Sequence, residues 1–555
     1  MKLARNVGIL GALVTFVISP NTNLDPINII KFFFLFTGAG YLIADYAKII
    51  TRFKLGTNLY RYFIISTLGF IAFQFLGLFL SGATFLSQLY GAFGRNTGFL
   101  TYLALTILVL LVSTIENSKQ VHEVLKYFLI VVAFEVFYSV LQFFNVDPYS
   151  WKNLYNRIIG TLGNPNFSSA FYGIAASLLI PIIFQRPLKL WTKIFSAIGI
   201  GILFFLTIES NSWQGTGLIL ISAAIYLLAY VRSIPKLRRI GYPILGVYLA
   251  IAASATLGFQ GKGPLGTYLN KPTFTIRIDY WYAAINTIKH HLVFGVGADN
   301  FGDWFRLMRS ETTVKRIGLN VSTNSAHNIV LDIMSNTGLL AGLLYLFVVV
   351  LILWKALPRL WSPKEMDNRV FLPVFLSWLA YQIQSMISIN QIGVGVWGWI
   401  FQGLMVTILL NDNNFTFIEV VKLDKRSKGI FQKQPSSPSL VRIIATPIFL
   451  TIAFLPLYSD AKLVSSLKSG DVNRVYAAVT TFPLDPSRLN YATQAFSQNK
   501  LPEISLKTAK FAVSHFPNNF DAWDLLGQVT NVQSDRDLSL LNKKKLDPYF
   551  EKYSQ

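Results

Sequence analysis

Thirteen apolar runs divide the chain as far as residue 458, each close to the roughly 20 helical residues that cross a hydrocarbon core of about 30 Å. They cover 6–20, 27–45, 62–82, 97–115, 123–144, 166–185, 191–208, 212–231, 240–259, 327–354, 370–389, 393–411 and 441–458. A bilayer interior offers backbone amides no water, so runs of this length must close their hydrogen bonds within helices. An all-α integral membrane protein with about thirteen transmembrane helices is expected. Hydrophobic residues make up 53% of the 555 and charged residues 14%, which excludes a soluble globular chain and a disordered one alike. There is no cysteine, so disulfides, thiolate zinc sites, iron–sulfur clusters and cysteine nucleophiles are ruled out. The first run is short, but no small-x-small cleavage site follows it, and it reads as a retained helix rather than a signal peptide.

The net charge of +22 would suggest nucleic acid in a soluble protein. Here the cations sit in alternate loops: Lys48, Arg52, Lys54 and Arg61; Lys119; Arg186, Lys189 and Lys193; Arg232, Lys236, Arg238 and Arg239; Arg359 and Lys364; and Lys422 to Lys433. By the positive-inside rule those loops and the N-terminus are cytoplasmic, and the remaining loops and the C-terminal tail lie outside. Little is left for a nucleic acid to explain.

One external segment departs from this pattern. Residues 260–326 hold eight basic residues (Lys262, Lys271, Arg277, Lys289, Arg306, Arg309, Lys315 and Arg316) against Asp279, Asp299, Asp303 and Glu311. Excess positive charge on the disfavoured side suits an anionic ligand such as a pyrophosphate, although an ordinary solvated basic face would look the same. The membrane domain so defined is 1–411; residues 412–440, with Pro435 and Pro438, read as a cytoplasmic linker, and 441–458 as the last transmembrane helix. The tail, 459–555, is polar and helical in pattern. Its Ala478-Val479-Thr480-Thr481-Phe482-Pro483 recurs 34 residues later as Ala512-Val513-Ser514-His515-Phe516-Pro517, the period of tetratricopeptide helix pairs.

No Walker A loop, Rossmann glycine fingerprint or HExxH helix occurs, and the first external loop offers Asp25 alone where paired acids would serve metal-dependent transfer. Glu135 is the clearest intramembrane carboxylate; a proton relay needs several such groups, so it reads as a paired structural group. Polar residues collect instead at the external ends of spans: Gly163-Asn164-Pro165-Asn166-Phe167, Glu209 to Gly215, and Ser325-Ala326-His327-Asn328. With Arg277 they could surround one cavity. A helix opened by Asn-Pro-Asn points orphan N–H groups and a positive dipole end outward, which suits phosphate, yet capping alone explains the same residues. A neutral His327 could accept a proton from a hydroxyl, and Arg277 could hold pyrophosphate oxygens; either alone is equally a structural residue.

The order of these motifs is more specific than any one of them. GNPNF at 163–167, the polar turn at 209–215, RIDYWYAAINTIKHHLVFGVGADNF at 277–301 and SAHNIVLDIMSNTGLLAGLLYL at 325–346 together resemble the O-antigen ligase and polymerase superfamily, over about residues 95–410. The resemblance implies a metal-independent membrane glycosyltransferase without cofactor, in the bacterial cytoplasmic membrane. Such an enzyme moves a glycan from an undecaprenyl-pyrophosphate carrier to a glycan or glycolipid hydroxyl on the outer face. It implies Arg277 and His327 as the catalytic residues, with Asn164, Asn166, Gln214 and Asn328 lining the substrate site. Members commonly carry Ser-Arg-Gly where this chain has Trp213-Gln214-Gly215, so a pyrophosphate-binding arginine is replaced by Gln214, and Arg157 is positioned to supply the cation. A repeat-unit polymerase of the same superfamily, a glycan transporter, and an assembly scaffold with a protein partner on the tail are the alternatives.

Overall fold

The computed structural model describes residues 1–149, 153, 155, 157–259, 261–270, 272–410 and 440–553. The linker expected at 412–440 falls almost wholly outside the described residues, as does Lys271. All regular elements among the described residues are helical. In chain order they begin with α1 (Lys2–Phe16), α2 (Asn28–Leu42), α3 (Tyr46–Leu55), α4 (Asn58–Leu80), α5 (Phe85–Tyr90), α6 (Phe99–Val112) and α7 (Ser118–Phe143). There follow α8 (Pro165–Phe184), α9 (Leu190–Glu209), α10 (Trp213–Ser233) and α11 (Gly241–Phe259). The long loop folds as α12 (Gly266–Leu269), α13 (Pro272–His290), α14 (Phe301–Met308) and α15 (Glu311–Ile317), and returns to the bundle through α16 (Ile329–Thr337). The bundle continues with α17 (Leu339–Arg359), α18 (Pro363–Met366), α19 (Phe371–Ser385), α20 (Ile392–Leu410) and α21 (Leu440–Ser469). The tail comprises α22 (Val472–Val479), α23 (Pro486–Gln498), α24 (Pro502–His515), α25 (Phe520–Val529), α26 (Gln533–Leu546) and α27 (Phe550–Tyr553).

Ten helices among the described residues are long and apolar enough to cross a bilayer, so the chain is an all-α integral membrane protein. Every expected span coincides with a helix, but α1, α6 and α19 have only 15, 14 and 15 residues. The centre of the bundle is α20, all of whose residues are buried; its Trp397 and Trp399, and Trp378 of α19, are fully enclosed. At the rim, α9 and α11 expose Phe195, Ile198, Phe205, Leu249 and Ile251, a surface that only lipid can cover favourably.

Two expectations about boundaries are corrected. The run 327–354 is not one helix: the chain breaks at Gly338 (φ +94°), so that α16 belongs to the loop and crossing starts at Leu339. The last span does not stop at 458 but runs unbroken to Ser469, because Ala453, Ser459, Asp460, Leu463 and Ser466 continue one buried stripe out of the bundle. That stripe joins the tail's own apolar core, in which Ala478 and Ala512, 34 residues apart, are both fully buried. The helices keep this register: Asp485 caps α23 and Asn519 caps α25, each accepting from backbone N–H groups of the first turn.

Candidate functional site

Arg277 lies on α13. One face of that helix, Tyr280, Ala283 and Ala284, packs on Phe301 and Phe305 of α14 and on Ala326, so the apolar side of the loop ends beside His327. The Tyr280 and His327 rings lie 5.3 Å apart between centroids. His327 takes a left-handed backbone (φ +53°), held on both sides. Before it, Ser325 Oγ and Ala326 N donate to the Asp332 carboxylate at 2.5 and 2.7 Å, and His327 N donates to Ser325 Oγ at 3.0 Å. After it, Asn328 caps α16 by accepting from Val330 N and Leu331 N, both at 3.1 Å. Its amide oxygen is thereby committed to the helix, which accounts for Asn328 without a substrate.

The glycines of the loop motif have a mechanical reason. Val296 N and Gly297 N donate to Ser335 O (3.0 Å) and Asn336 O (2.8 Å), and Leu339 N to Leu292 O (2.9 Å), so two backbones lie side by side where side chains would part them. Asp299 then ties the loop to residues 92–97, accepting from Ala92 N at 2.8 Å and Thr97 Oγ1 at 2.9 Å. This brings in Arg95, which the sequence reading passed over. Arg95 Nη1 donates to Asn324 O and Oδ1 at 2.7 and 3.0 Å, and its charge acts on His327 together with that of Arg277. Its signal was in the sequence: Arg95 is the single basic residue between spans three and four, on a side where cations are disfavoured.

Burial, followed by the charges of Arg95 and Arg277, depresses the His327 imidazolium to about 3, so the ring is neutral at every physiological pH. Burial also pushes Arg277 down from its usual range, and raises the Asp332 carboxyl to about 6. The geometry therefore offers a neutral imidazole beside two guanidinium groups, an arrangement suited to a hydroxyl on one side and an anion on the other.

A second polar cluster forms where α8 meets α10. Asn164 caps α8 by accepting from Asn166 N at 2.8 Å, and Asn166 Oδ1 accepts from Ser212 Oγ at 2.8 Å. Ser169 Oγ accepts from Gly215 N at 3.0 Å. A Cβ at Gly215 would stand 2.1 Å from Ser169 O, so only glycine permits this crossing. Gln214 Oε1 is buried there, with no hydrogen-bond partner among the described residues. Arg157 is exposed, and among the described residues no hydrogen bond or ion pair links its side chain to Asn164, Asn166 or Gln214.

Among the described residues the expected site residues form two sets of contacts, Arg277–Tyr280–His327 with Arg95, and Asn164–Asn166–Ser212 with Gln214. No hydrogen bond or ring contact joins them among the described residues. Asn28 lies between: its Nδ2 donates to Gly94 O at 2.6 Å, and its Oδ1 accepts from Gln391 Nε2 at 3.1 Å at the start of α20. The loop's excess charge also needs a different reading. Arg316 pairs with Asp279, Lys315 with Glu311 at 3.2 Å, and Arg306 and Arg309 with Asp547 of the tail, so at least these four cations are matched among the described residues. Glu135 is paired, as expected of a structural group, accepting from Thr161 N at 3.2 Å and from Thr161 Oγ1, with the fully buried Lys31 acting on it.

The bundle of apolar helices, with a long loop that carries Arg277 and His327, defines a polytopic membrane protein. Residues 198–346 match the family model described as O-antigen ligase, so this part of the chain is similar to the O-antigen ligase superfamily. The match runs from α9 into α17 and contains Arg277, His327 and Gln214, but not GNPNF at 163–167. No curated protein matches the chain.

Proposed function

We propose that this protein is a metal-independent membrane glycosyltransferase, moving a preassembled glycan from an undecaprenyl-pyrophosphate carrier to an acceptor hydroxyl at the outer face of the bacterial cytoplasmic membrane. The observation that carries the reading is the meeting of Arg277 and a neutral His327 across Tyr280, beside Arg95. His327 takes the proton of the acceptor hydroxyl, whose oxygen bonds the anomeric carbon from the face opposite the pyrophosphate. The carbon–oxygen bond to pyrophosphate breaks and its electron pair leaves with the carrier, where Arg277 stabilises the charge. A base held at about 3 by burial and two cations is weak. The donor's own negative charge offsets Arg95 and Arg277, and so strengthens the base when the donor is bound. Asn164, Asn166 and Gln214 bind the donor head, and the carrier enters from lipid. The tail, read as tetratricopeptide-like, stands outside the membrane with the loop.

The test is transfer by the reconstituted protein from a synthetic undecaprenyl-pyrophosphate oligosaccharide with EDTA present. Release of undecaprenyl pyrophosphate with one glycan per acceptor supports ligation; a ladder of lengths assigns the chain to polymerisation; no release with any donor class sinks the reading.

The pH profile separates two residues. Because His327 in the free protein stays neutral down to about 3, it supplies no acid limb to kcat/KM between pH 4 and 8. Asp332 does, since its carboxyl is protonated below about 6 and loses the charged acceptor for Ser325 and Ala326. Transfer is expected to fall as pH drops through about 6, and Asp332→Asn to remove that limb. A limb unchanged in Asp332→Asn would refute this assignment.

Gln214→Arg adds a cation where the buried amide oxygen stands alone. A charge-assisted contact worth about 1.5 kcal/mol lowers the donor KM about ten-fold with kcat little changed. A KM that rises would show that position 214 does not face the donor.

A further inference from the structure

The tail reaches the reacting pair through α14. Phe301 and Phe305 on one side of this helix pack with Tyr280, Ala283, Ala284 and Ala326. Arg306 on the helix and Arg309 just past its end are buried. Arg306 Nη1 donates to Leu319 O and Arg309 Nη1 to Val321 O, both at 3.0 Å, which fixes the return segment that runs into His327. The same two groups meet the tail. Arg309 Nη2 lies 2.6 Å from Asp547 Oδ2, Arg306 Nη1 lies 3.6 Å from that oxygen, and the Arg306 guanidinium sits 4.2 Å over the Phe520 ring. Arg306 Nη2 is 3.8 Å from Asp521, and Asn519 Nδ2 donates to Asp303 at 3.0 Å. Asp547 itself is 0% exposed. At the rim, Lys552 and Tyr553 hold Glu311 at 2.8 and 2.7 Å.

A buried guanidinium is costly unless a carboxylate meets it, and removal of the carboxylate leaves the charge stranded. Among the described residues, every carboxylate paired with Arg306 or Arg309 belongs to the tail. The tail's base is anchored separately, by Asp460 accepting from Leu24 N (2.8 Å) and Asp25 N (3.1 Å), so a pull or release at Asp547 acts on α14 rather than on the bundle.

We propose that the C-terminal tail is a built-in clamp on the loop, and that Asp547 is a positioning residue acting through Arg309 and Arg306 on the placement of His327 and Arg277. The positioning role rests on the reading of those two residues as the reacting groups; the clamp on α14 does not.

The test uses the full-length protein in lipid nanodiscs as wild type, Asp547→Ala, Asp547→Asn and Lys552→Ala. Hydrogen–deuterium exchange reads the clamp without substrate. Asp547→Ala speeds exchange over 301–327 by about ten-fold or more, and leaves α8, α20, α23 and α24 at wild-type rates. Lys552→Ala, at the solvent-exposed rim, changes neither. In glycan transfer, Asp547→Ala lowers kcat by about ten-fold or more while the donor KM stays within about two-fold, as misplaced reacting groups do. Asp547→Asn, which keeps the shape and one acceptor, falls between. If Asp547→Ala does not fold, Asp547→Asn carries the comparison in both assays. Unchanged exchange over 301–327 with a folded tail overturns the clamp. Faster exchange with unchanged kcat overturns the positioning role. No transfer by the wild type overturns the reading of Arg277 and His327, and the exchange experiment then still decides the clamp.

Discussion

His327→Ala lowers kcat for glycan transfer by about three orders of magnitude, the usual range for loss of a positioned general base, and leaves the donor KM nearly unchanged. The imidazole is neutral and held by its own backbone bonds, so removing the ring takes away the proton acceptor without disturbing Asp332 or the Asn328 cap. Arg277→Ala is expected to cost about two to three orders of magnitude and to raise the donor KM, because it removes charge from both the bound and the departing pyrophosphate. Arg277→Lys restores only part, since a single ammonium cannot replace a planar fork of donors. The double variant loses little more than the worse single one if the two act in one step. Reconstituted variants assayed for released undecaprenyl pyrophosphate decide the matter, and wild-type turnover in His327→Ala removes that residue from the chemistry.

Gly338→Ala is expected to be the most destabilising single change in the loop. The position has φ +94° and ψ 158°, a region that residues with a Cβ avoid, and an added Cβ would stand 1.9 Å from Val293 O. That carbonyl belongs to the backbone paired with residues 335–339 and cannot withdraw without breaking the bonds made by Leu339 N, Val296 N and Gly297 N. Strain and clash together amount to about 3 kcal/mol or more. The measurement is thermal unfolding in detergent beside glycan transfer: Gly338→Ala melts earlier and loses activity because α16, and with it His327, is displaced. Wild-type melting and turnover would show that the backbone pairing is not what seats His327.

The motif at 277–301 was visible as a string, but its meaning was not. Asp299 is a tie to the Arg95 loop, and the glycines are where two backbones touch; neither contact can be read from spacing, because the partners lie outside the motif. Arg157 illustrates the converse. It stands close to Asn164 in sequence and is exposed, whereas the charge of Arg95, far away along the chain, acts on His327.

By itself the sequence determined the class of the molecule. Apolar run length dictates helices in lipid, charged residues mark the ends of those helices, and the 34-residue recurrence lays out the tail, all of them local properties of the chain. The tertiary structure alone decided which charged groups meet. Arg309 is spent on Asp547 across 238 residues, and Arg95 reaches Asn324 across 229. An ion pair depends on which groups are desolvated together, and that is settled only when distant helices pack.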